Sequence, residues 1–443
     1  MPSLEFFGRA AAACALLALC CTAMVPADAT LPYQVAGDVS QSYQLLTSTY
    51  YETIDPHVLL AAASDSLAAT AHKYGVTIRP PALRVEGDRD ATIAELDNAI
   101  ATAATATHAS PDDFAYAAID AMAKATNDRY TQFFTPAEFK AFNEALDPKR
   151  ISGIGVMIEP DPPSGCVRIT YVLPSTPAER TGLHIGDIVT AVDGSPTKGL
   201  SVDAVSAKLR GKAGTVVAVT VQRSTAPATF SITREDVQPP TVVFKMLPGG
   251  IGYIWVMEFG RSTPAEFDTA VARLNEQGAK ALVFDLRNDG GGYVNSALDI
   301  SSRFIANKAI VTVEERGQRA TTIDADNDPS ITMPVTVLVN QYTASASEIT
   351  AGALQDDGIG MLVGARTFGK GVMQTLTPLP DGAAIKITTA HYLTPSRRDI
   401  NLRGIEPDVV VDENRDALFG EVDKDAQLRA AISVLQKKIA DKN

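Results

Sequence analysis

Val335-Thr336-Val337-Leu338-Val339-Asn340-Gln341-Tyr342-Thr343-Ala344-Ser345-Ala346-Ser347-Glu348 passes from a strand to a helix through one short turn. The first five residues read as a buried strand, and the helix runs from about Ser345 to Leu354. Strand passing directly to helix is the building unit of α/β cores, and the pattern repeats on both sides. Upstream, residues 251–256 and 281–286 are strands. Thr263-Pro264-Ala265-Glu266 between them reads as a capping box opening a helix that carries Phe267, Val271 and Leu274. Asp289-Gly290-Gly291-Gly292 leads into a helix reaching Phe304. Downstream, residues 361–364, 372–376 and 384–391 are strands, with Asp381-Gly382 as a hairpin turn, and a last helix spans 423–439.

Outside residues 236–443 the texture changes twice. Residues 151–235 form short strands with glycine-containing turns, among them 167–172, 188–192, 216–222 and 229–233. One helix capped by Ser201 presents Val202, Val205 and Leu209 on a single face. Residues 30–150 read as helical, with Leu59, Leu60, Leu67, Ile93, Leu96 and Ile100 at helical spacing. Residues 30–37 and 75–90 are expected to be loops there, and a helix opens at Pro111. The fold class is therefore multidomain α/β, with no internal repeat.

Composition bounds the function. The 443 residues carry a net charge of −13, with 45% hydrophobic and 21% charged residues. Such acidity argues against a nucleic-acid partner, which needs clustered Lys and Arg. Arg9 precedes an uncharged run over residues 10–25, closed by Pro26 and Ala27-Asp28-Ala29. This run falls short of the roughly 20 apolar residues of a bilayer span. It has the layout of an export signal over residues 1–29 with cleavage after Ala29, giving an exported, periplasmic or otherwise extracytoplasmic protein. An uncleaved anchor is the competing reading. Cys14, Cys20 and Cys21 lie in that leader, so Cys166 alone remains and no internal disulfide is expected. His57, His72, His108, His184 and His391 are too scattered for a metal site, so no metal or other cofactor is implied.

Three segments have the residue types for acyl transfer. Ser345 stands at a helix N-terminus, where free N–H groups favour negative charge. That suits a nucleophile whose attack creates an oxyanion. Gly369-Lys370-Gly371 places a lysine between residues that allow close packing. A lysine can replace the histidine of a triad if it is neutral, and lowering its pKa from about 10.4 towards about 7–8 requires desolvation worth roughly 3–5 kcal/mol. Gln374, four residues on, is placed to orient the amine without adding charge, and the Gly290-Gly291-Gly292 run can approach a carbonyl closely. Each segment alone has an ordinary reading as a cap or a turn. His391 offers a rival base for a Ser-His-Asp arrangement, against its own ordinary reading as a structural histidine.

Together the segments resemble the C-terminal processing peptidases, the tail-specific serine proteases. The marks are Ser345-Ala346-Ser347-Glu348 before a helix ending Ala353-Leu354-Gln355-Asp356, and Thr367-Phe368-Gly369-Lys370-Gly371-Val372-Met373-Gln374. Asp285-Leu286-Arg287-Asn288, Arg403-Gly404-Ile405-Glu406-Pro407-Asp408 and Asp128-Arg129-Tyr130-Thr131-Gln132-Phe133 complete them. The resemblance implies a crotonase-like α/β protease core over 236–443, with Ser345 as nucleophile, Lys370 as general base and Gln374 as its orienting residue. It implies an oxyanion hole from Ala346 N–H and an N–H of the run containing Gly290 and Gly291. Residues 151–235 resemble a PDZ domain, with Gly153-Ile154-Gly155-Val156 as the loop that binds a terminal carboxylate. The partners implied are protein or peptide substrates held by their C-terminal tails. A homo-oligomer through the helical N-terminal domain (30–150) or the C-terminal helix is a further expectation. Two rival functions stand beside this one. They are a PDZ scaffold with a degenerate protease core, and an acyl-CoA enzyme of the crotonase kind.

Overall fold

The computed structural model describes residues 30–146, 150–223, 226–325, 328–412 and 420–440. The export signal and its cleavage point lie outside those residues. The chain divides into two compact units, one within residues 1–43 and 55–126, the other comprising 44–54 and 127–443.

The first unit is helical. Asp55, Asp88 and Ser110 stand in extended backbone and accept N–H bonds from His57, Asp90 and Asp112. They cap the helices Pro56–Lys73, Arg89–Thr107 and Pro111–Ala125, two of which begin with proline. Leu59, Leu67, Leu96, Ile100, Phe114 and Met122 are fully buried among these helices. Residues 30–37 are not the expected loop, because a helix already starts at Tyr33 and runs to Thr49. Val35, Val39 and Tyr43 are buried and supply a helical stripe that carries the chain through Gly37.

In the second unit, a six-stranded sheet has the order Val242–Leu247, Ile251–Val256, Ala281–Asp285, Val335–Val339, Gly360–Gly364, Val409–Val410. The first pair is antiparallel and the rest are parallel. Alternate residues face opposite ways, and both faces are covered. Phe284, Val335 and Val337 pack with Phe267, Ile300, Ile349 and Leu354 from three helices. Val283 and Leu338 pack with Leu428, Ala431 and Leu435 of the helix Ala426–Ala440. Cover on both sides is why these strands are apolar throughout. The last helix thus has its apolar face on the sheet, and nothing supports its expected use in self-association.

The capping box at Thr263 does not form. Glu266 accepts instead from the N–H groups of Thr241 and Val242, and Thr263 donates to Glu258 O, fastening the helix Thr263–Glu276 to the start of an unexpected strand, Val242–Leu247. The helix after the glycine run is also shorter than expected, Val294–Ser301.

A second sheet joins Gln132–Phe134, Val372–Pro378, Ala309–Glu315 and Thr321–Asp324 around the long strand Ala384–Leu393. Arg316 donates to the carbonyls of Thr47, Ser48 and Glu52, and Tyr51 N donates to Thr388 O. Residues 44–54 are therefore stitched to this sheet. A third sheet, Val156–Asp161, Cys166–Val172, Ile188–Val192, Val216–Gln222 and Pro227–Thr233, has its own core of Val167, Ile169, Val189, Val217 and Ile232. Ile151–Gly153 pairs with Glu235–Val237, so this module begins and ends on one short antiparallel stem.

Arg287 leaves the end of the strand Ala281–Asp285 nearly buried. It bonds Asp285 at 2.6 Å, Asp425 at 2.8 Å and Gln427 at 3.0 Å, and Tyr253 donates to Asp285 at 2.6 Å. Removing the cation leaves two buried carboxylates facing one another. Arg287→Ala is expected to destabilise this unit by about 3–5 kcal/mol, read from chemical denaturation. A loss under about 1 kcal/mol would show that the network is energetically idle.

Candidate active site

The strands Ala281–Asp285 and Val335–Val339 are parallel neighbours, so the loops leaving them emerge side by side. Asn288 and Asn340 join these loops: Asn288 N donates to Asn340 Oδ1 and Asn340 Nδ2 to Asn288 Oδ1, each at 3.0 Å. Thr343 Oγ1 donates to Leu286 O at 2.8 Å. The turn carrying Ser345 is thereby fixed against the glycine run. Gly291 has φ 96°, and a Cβ there would lie 2.7 Å from Ala344 O and 2.9 Å from both Ser345 Cβ and Ala346 N. Only glycine allows this approach.

Ser345 itself has φ 57° and ψ −117°, a conformation that costs of order 1–3 kcal/mol for a non-glycine residue. Two buried side chains hold it there. Glu348 Oε2 accepts from Ser345 N at 2.9 Å, and Tyr392 OH lies 3.1 Å from Ser345 O. The same two groups hold Lys370: Glu348 Oε2 accepts from Lys370 N at 2.9 Å, and Tyr392 OH donates to Lys370 O. Glu348 Oε1 takes Gly369 N at 2.7 Å and Thr367 Oγ1 at 2.5 Å. Burial pushes the Glu348 pKa up, and these four donors work against that rise. The nucleophile candidate and the base candidate are thus gripped at both backbone ends by one carboxylate and one phenol.

Lys370 is half-buried, and its pKa is lowered to about 8, first by desolvation and then by the nearby Lys386 charge, with Asp128 opposing. Its Nζ lies 4.7 Å from the centre of the Tyr130 ring. Among the described residues no hydrogen bond joins it to Ser345 Oγ. Gln374 does not reach the amine either. Its Nε2 donates to Thr388 Oγ1 at 3.3 Å and Val372 O at 3.4 Å, beside a register shift between Met373 and Gln374. Thr388 Oγ1 donates in turn to Asp128 Oδ2, which also takes Thr131 Oγ1. This chain runs from Gln374 to the segment carrying Tyr130.

Ala346 N–H and Gly290 N–H have no acceptor among the described residues, whereas Gly291 N–H donates to Asp289 Oδ1 at 2.8 Å. Ser347 is fully buried and donates to Asp289 O. His391 packs edge-on against Tyr51 with ring centres 4.6 Å apart, the arrangement of a structural histidine. No group of residues that could hold a metal ion occurs among the described residues. Glu348, Tyr392, Tyr130 and Asp128 were not assigned roles by sequence. Glu348 left a signal in the capping-box spacing of Ser345-Ala346-Ser347-Glu348, and Asp128 and Tyr130 in the segment Asp128-Arg129-Tyr130-Thr131-Gln132-Phe133, whereas Tyr392 left none.

In the β-rich module, Gly155 has φ 86°, and a Cβ there would meet Thr176 at 2.4 Å. Ile154 O and Gly155 O accept from Ala178 N and Leu173 N, and Gly153, Ile154, Gly155 and Val156 line a groove. Ile158, Ser206, Leu209 and Arg210 line its length, between a strand and the helix Val202–Leu209.

Residues 250–411 match the model of peptidase family S41, and residues 168–223 match that of the PDZ domain. A carboxyl-terminal-processing protease of Picosynechococcus sp. is 36% identical over 330 residues, covering 73% of this chain and 79% of that protein. A probable CtpA-like serine protease of Staphylococcus aureus is 35% identical over 308 residues, 68% of this chain and 61% of that longer protein. The photosystem II D1 C-terminal processing protease structure aligns over 90% of this chain and 98% of its own at 27% identity, with a TM-score of 0.48. No helix among the described residues is long and apolar enough to cross a membrane. With this degree of likeness spread over most of its length, the chain belongs to peptidase family S41, as a serine-type peptidase of the carboxyl-terminal-processing group that carries a PDZ domain.

Proposed function

We propose that the protein is an exported endopeptidase that cleaves protein substrates near their C-termini with a Ser345–Lys370 dyad. The observation that carries this reading is the shared grip of Glu348 and Tyr392 on both residues, together with the lowered lysine pKa. The domains are read as a helical region over 30–150, the PDZ domain over 151–235 and a crotonase-like core over 236–443, with export directed by residues 1–29. Intact Ser345, Lys370 and Gln374 disfavour the degenerate-scaffold reading.

In the reaction, neutral Lys370 leaves the Tyr130 ring and takes the Ser345 Oγ proton as the oxygen attacks the scissile carbonyl. Ala346 N–H and an N–H of the glycine run, where Gly290 and Gly292 have no acceptor among the described residues, receive the oxyanion. The lysine ammonium then protonates the leaving amine, and the substrate is left as an ester on Ser345. Lys370, neutral again, removes a proton from water, whose oxygen attacks the ester; as the ester bond breaks, the lysine ammonium returns that proton to Ser345 Oγ and the acid product leaves. Gln374 acts on the base indirectly, through Thr388 and Asp128. The tail of the substrate adds as a strand in the PDZ groove, its carboxylate at the Gly153–Val156 loop beside Arg210.

Ser345→Ala should lower peptide hydrolysis by about 10⁴-fold or more and abolish labelling by a fluorophosphonate, with an unchanged unfolding midpoint. Ser347→Ala should keep most activity, and the reverse pattern would move the nucleophile. Lys370→Arg should be nearly as inactive as Lys370→Ala, because arginine cannot give up its proton near neutral pH. A base acts when neutral, and its neutral fraction grows with pH. The wild-type rate should therefore climb through about pH 8 on its acid side. Substantial activity in the arginine variant, or collapse only in His391→Ala, would transfer the role from Lys370. Amidation of a peptide substrate's C-terminus should raise KM several-fold with little change in kcat, as steady-state kinetics on the paired peptides would show.

A further inference from the structure

Asp289 is fully buried directly behind the nucleophile turn. Its Oδ1 accepts Gly291 N–H at 2.8 Å, and its Oδ2 has no hydrogen-bond partner among the described residues. Its backbone O accepts from Ala344 N at 3.0 Å and Ser347 Oγ at 3.1 Å, so both ends of the residue brace the Ser345 turn. Gly291, which it holds, lies so near Ser345 and Ala346 that a Cβ there would have no room.

No ion pair to Asp289 occurs among the described residues. Arg287, two positions earlier, is engaged by Asp285 and Asp425. The loop after Ile251–Val256 presents Glu258, whose negative charge opposes a second one nearby. The helix Ala346–Asp356 presents Glu348, whose oxygens are taken by Ser345, Thr367, Gly369 and Lys370. A buried carboxylate with one oxygen unpartnered, no cation and an acidic neighbour is disfavoured against the neutral acid, and the Gly291 N–H and the Ser347 hydroxyl offset that only in part.

We infer that Asp289 is a positioning residue that serves the reaction in its protonated, uncharged form. It holds the glycine run against Ser345 through Oδ1, and loss of its proton places an unpaired negative charge beside the developing oxyanion. This inference rests on the reading of Ser345 as nucleophile. Burial pushes the Asp289 carboxyl up to about 8, close to where Lys370 becomes neutral. The enzyme then needs one group without its proton and the other with it, which gives a narrow bell.

The experiment is the pH–rate profile of kcat for wild type, Asp289→Asn and Glu258→Gln on one peptide substrate, with folding followed by thermal unfolding at each pH. Asparagine keeps the Gly291 bond and cannot ionise. Asp289→Asn should retain the acid limb and lose the alkaline one, so that it gains about tenfold over wild type for each pH unit beyond the wild-type maximum. Glu258→Gln removes a charge that disfavours ionisation, so it should move the alkaline limb to lower pH, a readout independent of whether Asp289→Asn folds. An alkaline limb unchanged in Asp289→Asn, activity lost at every pH in a folded Asp289→Asn, or a limb that stays in place in Glu258→Gln would each overturn the inference. Loss of the acid limb would count against Lys370 as the base and leave Asp289 untouched.

Discussion

Four hydrogen bonds converge on one buried carboxylate, and the site depends on them. Glu348 receives donors from both loops that carry Ser345 and Lys370. It lies three residues into a helix whose other members are nearly all buried, so the carboxylate has no freedom to move away. Ser345 can keep an unfavourable backbone geometry only because the surrounding bonds over-determine it. Tyr392 repeats the arrangement from the other side, with its hydroxyl near the carbonyls of the same two residues. The main chains of Ser345 and Lys370 are thereby held at a fixed spacing.

The rest of the fold serves this junction. Parallel strands deliver the loops of Asp289 and Ser345 to one edge, and the paired Asn288 and Asn340 fix their spacing. The second sheet delivers Lys370, Tyr392 and, through Gln132–Phe134, the segment with Asp128 and Tyr130. Phe267, Phe284 and Phe304, with ring centres 5.3 to 5.9 Å apart, fill the space beneath.

The strands and helices around the site are legible in the sequence wherever burial on two faces leaves long apolar runs, as at residues 281–286 and 335–339. Ser345 and Lys370 are legible through their settings, a helix start and a glycine-flanked loop. Elements whose pattern reflects distant partners are not. Val242–Leu247 has three half-buried members, Ala309–Glu315 runs from buried to exposed without clean alternation, and Thr321–Asp324 has no buried member. Glu266 looks like a local cap because the sequence does not reveal that Thr241 will lie beside it. Tyr392 and Asp128 act across 22 and 260 positions of chain, at Lys370 and Thr388; the segment of Asp128 is a mark of the resemblance, but its partner is not readable from it, and no local pattern signals Tyr392.

The stem formed by Ile151–Gly153 and Glu235–Val237 carries one more consequence. It sets the entry and exit of the PDZ module side by side, so the surrounding chain meets the same geometry whatever lies between them. Loop-closure entropy grows only with the logarithm of length, each doubling costing about 0.6 kcal/mol. The module is therefore inserted in the manner of a cassette. Its interior can be lengthened, shortened or exchanged for another recognition fold while the catalytic sheets keep their register.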